Sequence, residues 1–179
     1  MTRRAWLAAA ALAALAACAQ KQVKRPDGGE GLLPVGAAAP EIVAEDPKGN
    51  EVRLSQLRGR YVVVYFYPKD GTPGCTTEAC AFRDAWDRFS AANVGILGVS
   101  RDSKESHRAF MVKHKLPFSL ASDEDGAIER AWGVPSTLGM SQRVSFLVGP
   151  DGKVRATWPD VDPAQHAAQV LAAVADGGR

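Results

Sequence analysis

Two of the three cysteines in the 179-residue chain, Cys75 and Cys80, lie five residues apart in the stretch TPGCTTEAC. Thr72 is a candidate N-cap and Pro73 suits the first position of a helix, which puts Cys75 at the third. Backbone N–H groups of a first helical turn lack intrahelical partners, and the helix dipole favours negative charge there. A free thiol, with a pKa of about 8.5, is mostly protonated at neutral pH, and only the thiolate attacks. This placement therefore indicates a reactive cysteine.

The spacing of the two cysteines limits what the pair can do. On a regular helix, five residues separate the Cα atoms by roughly 8.7 Å and by about 140° around the axis. A disulfide needs Cα atoms about 4.4 to 6.8 Å apart. Cys75 and Cys80 therefore cannot bond while the helix is intact. Such a pair is a poor permanent staple, but it suits a catalytic cycle in which the first helical turn unwinds.

A strand before the pair and a helix around it must position these residues. The run YVVVYFY at Tyr61–Tyr67 is continuously β-branched or aromatic, which predicts a central strand that is buried on both faces and ends at Pro68. An amphipathic helix follows, whose single apolar stripe is formed by Ala79, Phe82, Trp86 and Phe89.

Strand and helix patterns alternate through the rest of the chain. Short extended segments are expected at 41–44 and 51–54, strands at 94–100 and 118–122, helical segments at 103–115 and 127–134, and a hairpin at 143–158. A last helix is predicted to begin with Asp162 as N-cap and Pro163 at its first position. This order predicts an α/β fold, a three-layer sandwich with a central mixed β-sheet.

Composition restricts the class of protein. The 22 basic and 20 acidic residues are interspersed and leave a formal charge of +2, without the basic stripe that a phosphate backbone requires. Nucleic acid is therefore excluded as an expected partner. The length and a hydrophobic content of 46% suit one domain with short extensions.

The first residues have the pattern of a targeting segment. Arg3 and Arg4 precede an apolar run at 5–17, which is too short to cross a membrane. The run ends in LAAC, which resembles the bacterial lipobox, so residues 1–17 are expected to be a lipoprotein signal peptide and Cys18 a lipidated first residue. Ala19 after that cysteine favours the outer membrane. The expected location is the bacterial cell envelope, facing the periplasm.

The segment after the signal peptide is rich in Gly, Pro and charge and lacks apolar periodicity. Residues 18–34 are therefore predicted to form a lipid-anchored flexible tether. The folded domain is predicted to occupy residues 35–179.

The active-site stretch resembles a known family. Pro68-x-x-x-Thr72-x-x-Cys75 is similar to the peroxiredoxin motif, and a second cysteine in CTTEAC resembles the peroxiredoxin Q type, also called bacterioferritin comigratory protein. The likeness extends from about Val35 to the C-terminus, through the segments FYPKDGTPGCT, FRD, SDEDG and RVSFLVGPDGKV. It implies a thioredoxin-like fold and a thiol peroxidase of the atypical 2-Cys type, which reduces hydrogen peroxide and organic hydroperoxides.

The same resemblance implies a role for each site residue. Cys75 is the peroxidatic cysteine, whose sulfenic acid condenses with the resolving Cys80 to an intramolecular disulfide. Thr72 orients the peroxide, Arg143 supplies a fixed positive charge, and Pro68 shields the sulfur. An external thioredoxin-like dithiol then reduces the disulfide by exchange. No cofactor and no metal are implied, and a monomer is expected.

Other uses of the cysteines can be compared with the same stretch. A thioredoxin-like Cys-x-x-Cys oxidoreductase would need cysteine at position 78, which is Glu78, and a plant-type iron–sulfur site would need cysteine at Arg83. Both are excluded. A membrane-tethered peroxide sensor, in which oxidation of Cys75 signals to a partner without steady turnover, stays open. The histidines His107, His114 and His166 are predicted to be surface residues.

Overall fold

The computed structural model describes residues 23–177. Its main sheet has seven strands in the order β2-β1-β5-β4-β3-β8-β9. The strands are β1 (Val43–Glu45), β2 (Glu51–Arg53), β3 (Tyr61–Phe66), β4 (Val94–Ser100), β5 (Ser119–Ser122), β8 (Val144–Val148) and β9 (Val154–Trp158), while β6 (Ser136–Thr137) and β7 (Met140–Ser141) form a separate small hairpin.

The helices fall between the strands, as the sequence predicts. They are α1 (Pro73–Asp84), α2 (Trp86–Ala91), α3 (Lys104–His114), α4 (Ala127–Trp132) and α5 (His166–Ala175), with a short 3₁₀ helix at Leu54–Leu57. In the part of the chain that the structure describes, no helix combines the length and apolar character needed to cross a membrane.

The strand β3 lies in the middle of the sheet. It pairs in parallel with β4 on one side and antiparallel with β8 on the other, so the sheet is mixed. Its residues after Tyr61 are buried, as expected of a strand covered on both faces. Val63 and Tyr65 face a core shared with α1, α2, α3 and α5. Val62 and Val64 face a second core, which α4 and the 3₁₀ helix help to cover.

The helix predicted around the cysteines is divided in two. α1 ends at Asp84 and α2 begins at Trp86, with Ala85 between them at φ −93° and ψ 5°. The Ala85 N–H still bonds the Ala81 carbonyl, and the Arg88 N–H bonds the Ala85 carbonyl. Because the interruption is a single residue, the apolar side chains of α1 and α2 keep their helical spacing. The apolar periodicity of the sequence therefore does not reveal the break at Ala85.

The last helix also begins later than predicted. Asp162 accepts a hydrogen bond from the Ala164 N–H at 2.9 Å and its carbonyl accepts from His166, but residues 163–165 form a turn and α5 starts at His166. Asp162 thus caps a turn that leads into the helix.

Residues 23–34 pack on the domain, which differs from the tether predicted up to Pro34. Leu33 is 3% exposed within the second core, and its N–H donates to the Trp132 carbonyl. Arg25 is buried, and its guanidinium donates to the carbonyls of Glu30, Gly31 and Leu32. The packed unit therefore starts upstream of Val35. The charged composition of residues 23–34 suggests an exposed segment, but Arg25 is buried and its charge binds backbone carbonyls of the same segment.

Replacing Leu33 with alanine tests this boundary. We expect Leu33→Ala to lower the free energy of unfolding by about 2 to 4 kcal/mol, because it opens a cavity in the second core. Val35→Ala is the matched control, since Val35 is 63% exposed and its loss should cost less than about 0.5 kcal/mol. Urea unfolding followed by circular dichroism measures both. Equal, small effects would show that residues 23–34 do not belong to the folded unit.

Candidate active site

The hinge between β3 and α1 positions Cys75. Thr72 is the N-cap, with extended backbone angles of φ −71° and ψ 150°, and Pro73 is the first helical residue. Cys75 is therefore the third residue of α1, as predicted. The Thr72 hydroxyl does not cap the helix: it donates to the Lys69 carbonyl at 3.0 Å. The Thr72 side chain thus accepts no hydrogen bond from the N–H groups of the first turn. Its hydroxyl oxygen remains able to accept a hydrogen bond from another group.

Arg143 lies beside the Cys75 sulfur. Its Nη2 is 3.2 Å from Cys75 Sγ, although the residues are 68 positions apart. Sheet register explains the approach, because Phe66 pairs with Val144, which places the start of β8 next to the end of β3. Cys75 is 2% exposed, so the guanidinium acts on the sulfur in a dry environment.

Gly74 makes room for this guanidinium. A Cβ atom at position 74 would lie 3.3 Å from Arg143 Nη2 and 3.8 Å from a Pro163 side-chain carbon. A larger residue would therefore press on the arginine next to the sulfur. Pro68, the remaining residue of the motif, is half-buried just after the end of β3.

Glu78 is the residue that sequence reasoning missed as part of the site. Its side chain is fully buried, and one carboxylate oxygen pairs with Arg143 Nη1. Burial raises the pKa of Glu78 to about 7, against the opposing effect of Arg143. Cys75 and Glu78 are three residues apart and so share a face of α1. The three-residue spacing in the sequence indicates that one arginine can contact both the Cys75 sulfur and the Glu78 carboxylate.

A second set of bonds holds the loop before α1. The Asp70 carboxylate accepts hydrogen bonds from the Tyr67 hydroxyl at 2.7 Å and the Ser106 hydroxyl at 2.8 Å, and lies 2.8 Å from His107 Nδ1. The Asp70 N–H donates to the Asp102 carboxylate at 2.8 Å. Burial opposes ionisation of Asp70, but its bonds to His107, Tyr67 and Ser106 outweigh this and lower its pKa. The loop is thus fixed to α3 and to the end of β4.

The prediction of surface histidines is wrong for two of the three. His107 is 2% exposed because it partners Asp70. His166 is fully buried, with its ring 5.4 Å from the ring centroids of both Phe82 and Trp158, and burial lowers its pKa to about 4. His114 is half-buried at the end of α3. The amphipathic pattern predicts exposure of polar residues, whereas the Asp70 carboxylate holds His107 inside and two aromatic rings enclose His166.

Cys80 lies on the same unbroken helix as Cys75. It is half-buried, and both thiols are free. Its sulfur is 3.9 Å from His114 Nδ1. No cluster of three or more potential metal ligands occurs within residues 23–177.

Comparison with known proteins identifies the family. The model of the AhpC/TSA family matches residues 35–157. A putative peroxiredoxin Bcp of Coxiella burnetii is 40% identical over 146 residues, covering 78% of this chain and 97% of its own length. The peroxiredoxin Bcp of Bacillus subtilis is 38% identical over 151 residues, covering 80% of this chain and 96% of its own. The chain belongs to the AhpC/TSA family as a peroxiredoxin of the Q type.

A solved structure supports the same assignment. The bacterioferritin comigratory protein of Xanthomonas campestris, whose alkyl peroxide reduction activity was studied, superposes with a TM-score of 0.71 at 37% identity, covering 80% of this chain and all of that one. The predicted thioredoxin-like fold with a central mixed sheet is confirmed. The peroxiredoxin is an enzyme that reduces peroxide with the help of thiols.

Glu78→Gln should change the pH dependence of stability in this peroxiredoxin. The pKa of Glu78 is raised from an ordinary 4.5 to about 7 in the folded protein, so the folded state holds that proton more tightly. Glu78 therefore contributes stability that is fully present below about pH 4.5 and lost as pH rises through about 7. The stability of the wild type relative to Glu78→Gln should fall across that window.

Urea unfolding at several pH values between about 4 and 8 measures this difference. The exposed Glu124→Gln controls for the loss of one negative charge. The comparison with the variant is necessary because His166, whose lowered pKa makes stability rise with pH over the range from about 4 to 6.5, acts in the opposite direction. If the free energies of unfolding of the wild type and Glu78→Gln changed in parallel with pH, the raised pKa of Glu78 would be contradicted.

Proposed function

We propose that Cys75 is the peroxidatic cysteine and that the enzyme reduces hydrogen peroxide and organic hydroperoxides through its sulfenic acid. The observation that carries the proposal is the guanidinium of Arg143, 3.2 Å from Cys75 Sγ at the N-terminus of α1. A cation and a helix N-terminus both favour the thiolate. The thiolate attacks the terminal peroxide oxygen, an S–O bond forms, and the O–O bond breaks. The departing oxygen takes a proton and leaves as alcohol or water.

The residues around the sulfur supply binding and charge stabilisation. The Thr72 hydroxyl donates to Lys69, so its oxygen can accept a hydrogen bond from the O–H of the peroxide. Arg143, positioned by Glu78, places positive charge where negative charge develops on the oxygens. Pro68, half-buried beside the hinge, limits the access of water to the sulfur. The roles assigned to these residues rest on this geometry and on the family pattern.

We assign Cys80 as the resolving cysteine. The first turn of α1 is locally weak: the Thr72 side chain provides no cap, Gly74 has low helix propensity, and the β-branched Thr76 and Thr77 follow. The rear of the helix is firmly packed, because Phe82 is fully buried against the rings of four other side chains, Tyr65, Phe89, Phe118 and His166. Unwinding of the front turn can therefore bring Cys75 to Cys80 while the rear stays in place.

The cycle closes when an external dithiol reduces the disulfide. A thioredoxin-like protein is the class of reductant that fits, because thiol–disulfide exchange needs a second thiol to release the mixed disulfide. Each turnover consumes one peroxide and one dithiol. This stoichiometry follows from the proposed Cys75–Cys80 disulfide, because its reduction to two thiols requires two electrons from an external donor.

Replacing each cysteine separates their roles. Cys75→Ser should consume no peroxide, because no sulfur remains at the helix N-terminus. Cys80→Ser should form the sulfenic acid with one equivalent of peroxide and then, since no thiol captures that acid, consume further peroxide only in over-oxidising Cys75 to sulfinic acid, without turnover. Peroxide consumption with an excess of dithiol, combined with intact-mass analysis, measures both.

The wild type in the same assay separates an enzyme cycle from a sensor. Many turnovers per molecule are expected, whereas a single equivalent would favour the tethered sensor. Peroxide reduction by Cys75→Ser would refute the assignment of the nucleophile. Undiminished turnover of Cys80→Ser with a dithiol would remove Cys80 from the cycle.

We further propose that the enzyme is anchored in the bacterial cell envelope through lipid on Cys18 and faces the periplasm, with the outer membrane favoured. Cys18 lies outside the described residues, and the proposal rests on the sequence LAAC after a short apolar run. The acyl chains of a bacterial lipoprotein provide the two or more hydrophobic anchors that stable attachment needs.

Cys18→Ala should move the protein from the membrane fraction to the soluble fraction of bacterial cells, because the acyl chains have no attachment point. Peroxidase activity of the purified variant should equal that of the wild type, since position 18 lies upstream of every residue assigned to the site. Fractionation with immunodetection is the measurement. Unchanged membrane association of Cys18→Ala would argue against the lipid anchor.

A further inference from the structure

Cys80 has a polar partner of its own on a different helix. Its sulfur lies 3.9 Å from Nδ1 of His114, the last residue of α3, while the two residues are 34 positions apart in sequence. The His114 ring is held edge-on against the Phe110 ring, with 4.9 Å between the ring centroids. An imidazole nitrogen is thus directed at the thiol that the proposed function uses for resolution.

Arg83 fixes this arrangement. It lies three residues after Cys80 on α1, and its Nη1 donates to the His114 carbonyl at 2.9 Å. Its positive charge also acts on the Cys80 sulfur. The guanidinium therefore joins the rear of α1 to the end of α3 on the same side as the thiol. Cys80 and His114 stay together as long as this contact and the packing of Phe82 persist.

The protonation state of His114 suits proton acceptance. Burial, followed by the neighbouring charges of Lys113 and Arg83, lowers the pKa of His114. The imidazole is therefore mainly neutral at pH 7, with one nitrogen that carries no proton. Its Nε2 is buried without a hydrogen-bond partner among the described residues, so Nδ1 is the nitrogen that meets a polar group.

We propose that His114 is the general base of the resolution step. The Cys80 thiol gives its proton to His114 Nδ1 as the Cys80 sulfur attacks the sulfur of the Cys75 sulfenic acid. The S–S bond forms and the S–O bond breaks, so that the Cys80 sulfur is oxidised and the Cys75 sulfur reduced. The departing hydroxide takes the proton from the imidazolium and leaves as water. This assignment rests on the proposed function, because it requires Cys80 to be the resolving thiol.

The two ends of α1 then have separate tasks. Cys75 is on the weak front turn, which moves, whereas Cys80 is close to Phe82 and Arg83, which hold the rear. The base can therefore stay beside its thiol throughout the unwinding. A thiol without such a base must release its proton to water, and with a pKa of about 8.5 only a few per cent of it is thiolate at pH 7.

Single-turnover kinetics test this proposal. One equivalent of peroxide is mixed with reduced protein, and rapid acid quench with mass analysis follows first the sulfenic acid and then the disulfide. His114→Gln should form the sulfenic acid at the wild-type rate but the disulfide about 10-fold more slowly at pH 7. The difference should shrink to about 2-fold or less near pH 9, where a free thiol ionises unaided. A larger sulfinic acid product at excess peroxide should accompany the delay.

Val112→Gln is the matched control, because it places the same side chain on a 76% exposed position of α3. It should leave both steps unchanged. A disulfide step in His114→Gln that is as fast as in Val112→Gln would overturn the proposal while leaving the proposed function intact. Failure of the wild type to form sulfenic acid or the Cys75–Cys80 disulfide would instead refute the function itself.

The wild type provides a second test that does not depend on the folding of a variant. Its disulfide step should slow as pH falls through the lowered pKa of His114, below about 6.5, because a protonated imidazole cannot accept the thiol proton. The charged or titratable groups that face this ring are Arg83 and Cys80 on α1 and Lys113 on α3. A rate that follows only the ionisation of a thiol, with no second inflection at acid pH, would overturn the role of His114.

Discussion

The guanidinium of Arg143, held between the Cys75 sulfur and the buried Glu78 carboxylate, is the interaction on which the site depends. Removing a carboxylate from water is costly, and the raised pKa of Glu78 reflects that cost. The pairing is useful because a guanidinium has several donors in a rigid plane, so it can bind the carboxylate with one nitrogen and face the sulfur with another. Glu78 thus fixes the direction of a charge that would otherwise be mobile.

The sheet makes this interaction possible, and in the proposed cycle the unwinding of α1 makes it reversible. Pairing of β3 with β8 places the end of β3 and the start of β8 at the same end of the sheet. Arg143 therefore lies beside the hinge although no local sequence pattern predicts this contact. Across the hinge, Asp70 binds the loop to α3 and Phe82 anchors the rear of α1. Between these two fixed points lies a first helical turn that contains Gly74 and has no side-chain cap. In the proposed cycle, motion is therefore confined to the segment that carries Cys75.

Much of the fold could be predicted because its signals are local. The β-branched run predicted β3, and the Thr-Pro-Gly hinge placed Cys75 at the third position of α1. What failed depends on tertiary contacts. The charged segment before Val35 looks like a tether until Arg25 finds three carbonyl groups and Leu33 enters the core. His107 and His166 look exposed until a carboxylate and two aromatic rings enclose them. The role of Glu78 was hidden because its partner is distant in sequence.

The position of Glu78 between the two cysteines has an energetic consequence for the proposed cycle. Because Glu78 lies three residues after Cys75 and two before Cys80, unwinding that joins the sulfurs must also disturb its buried ion pair. In water its pKa returns toward the ordinary value of 4.5, so at neutral pH the released carboxylate ionises and is hydrated. Hydration of Glu78 then offsets part of the cost of opening the turn. Reduction of the disulfide reverses the exchange, since refolding of α1 returns Glu78 to Arg143 and Arg143 to the thiol.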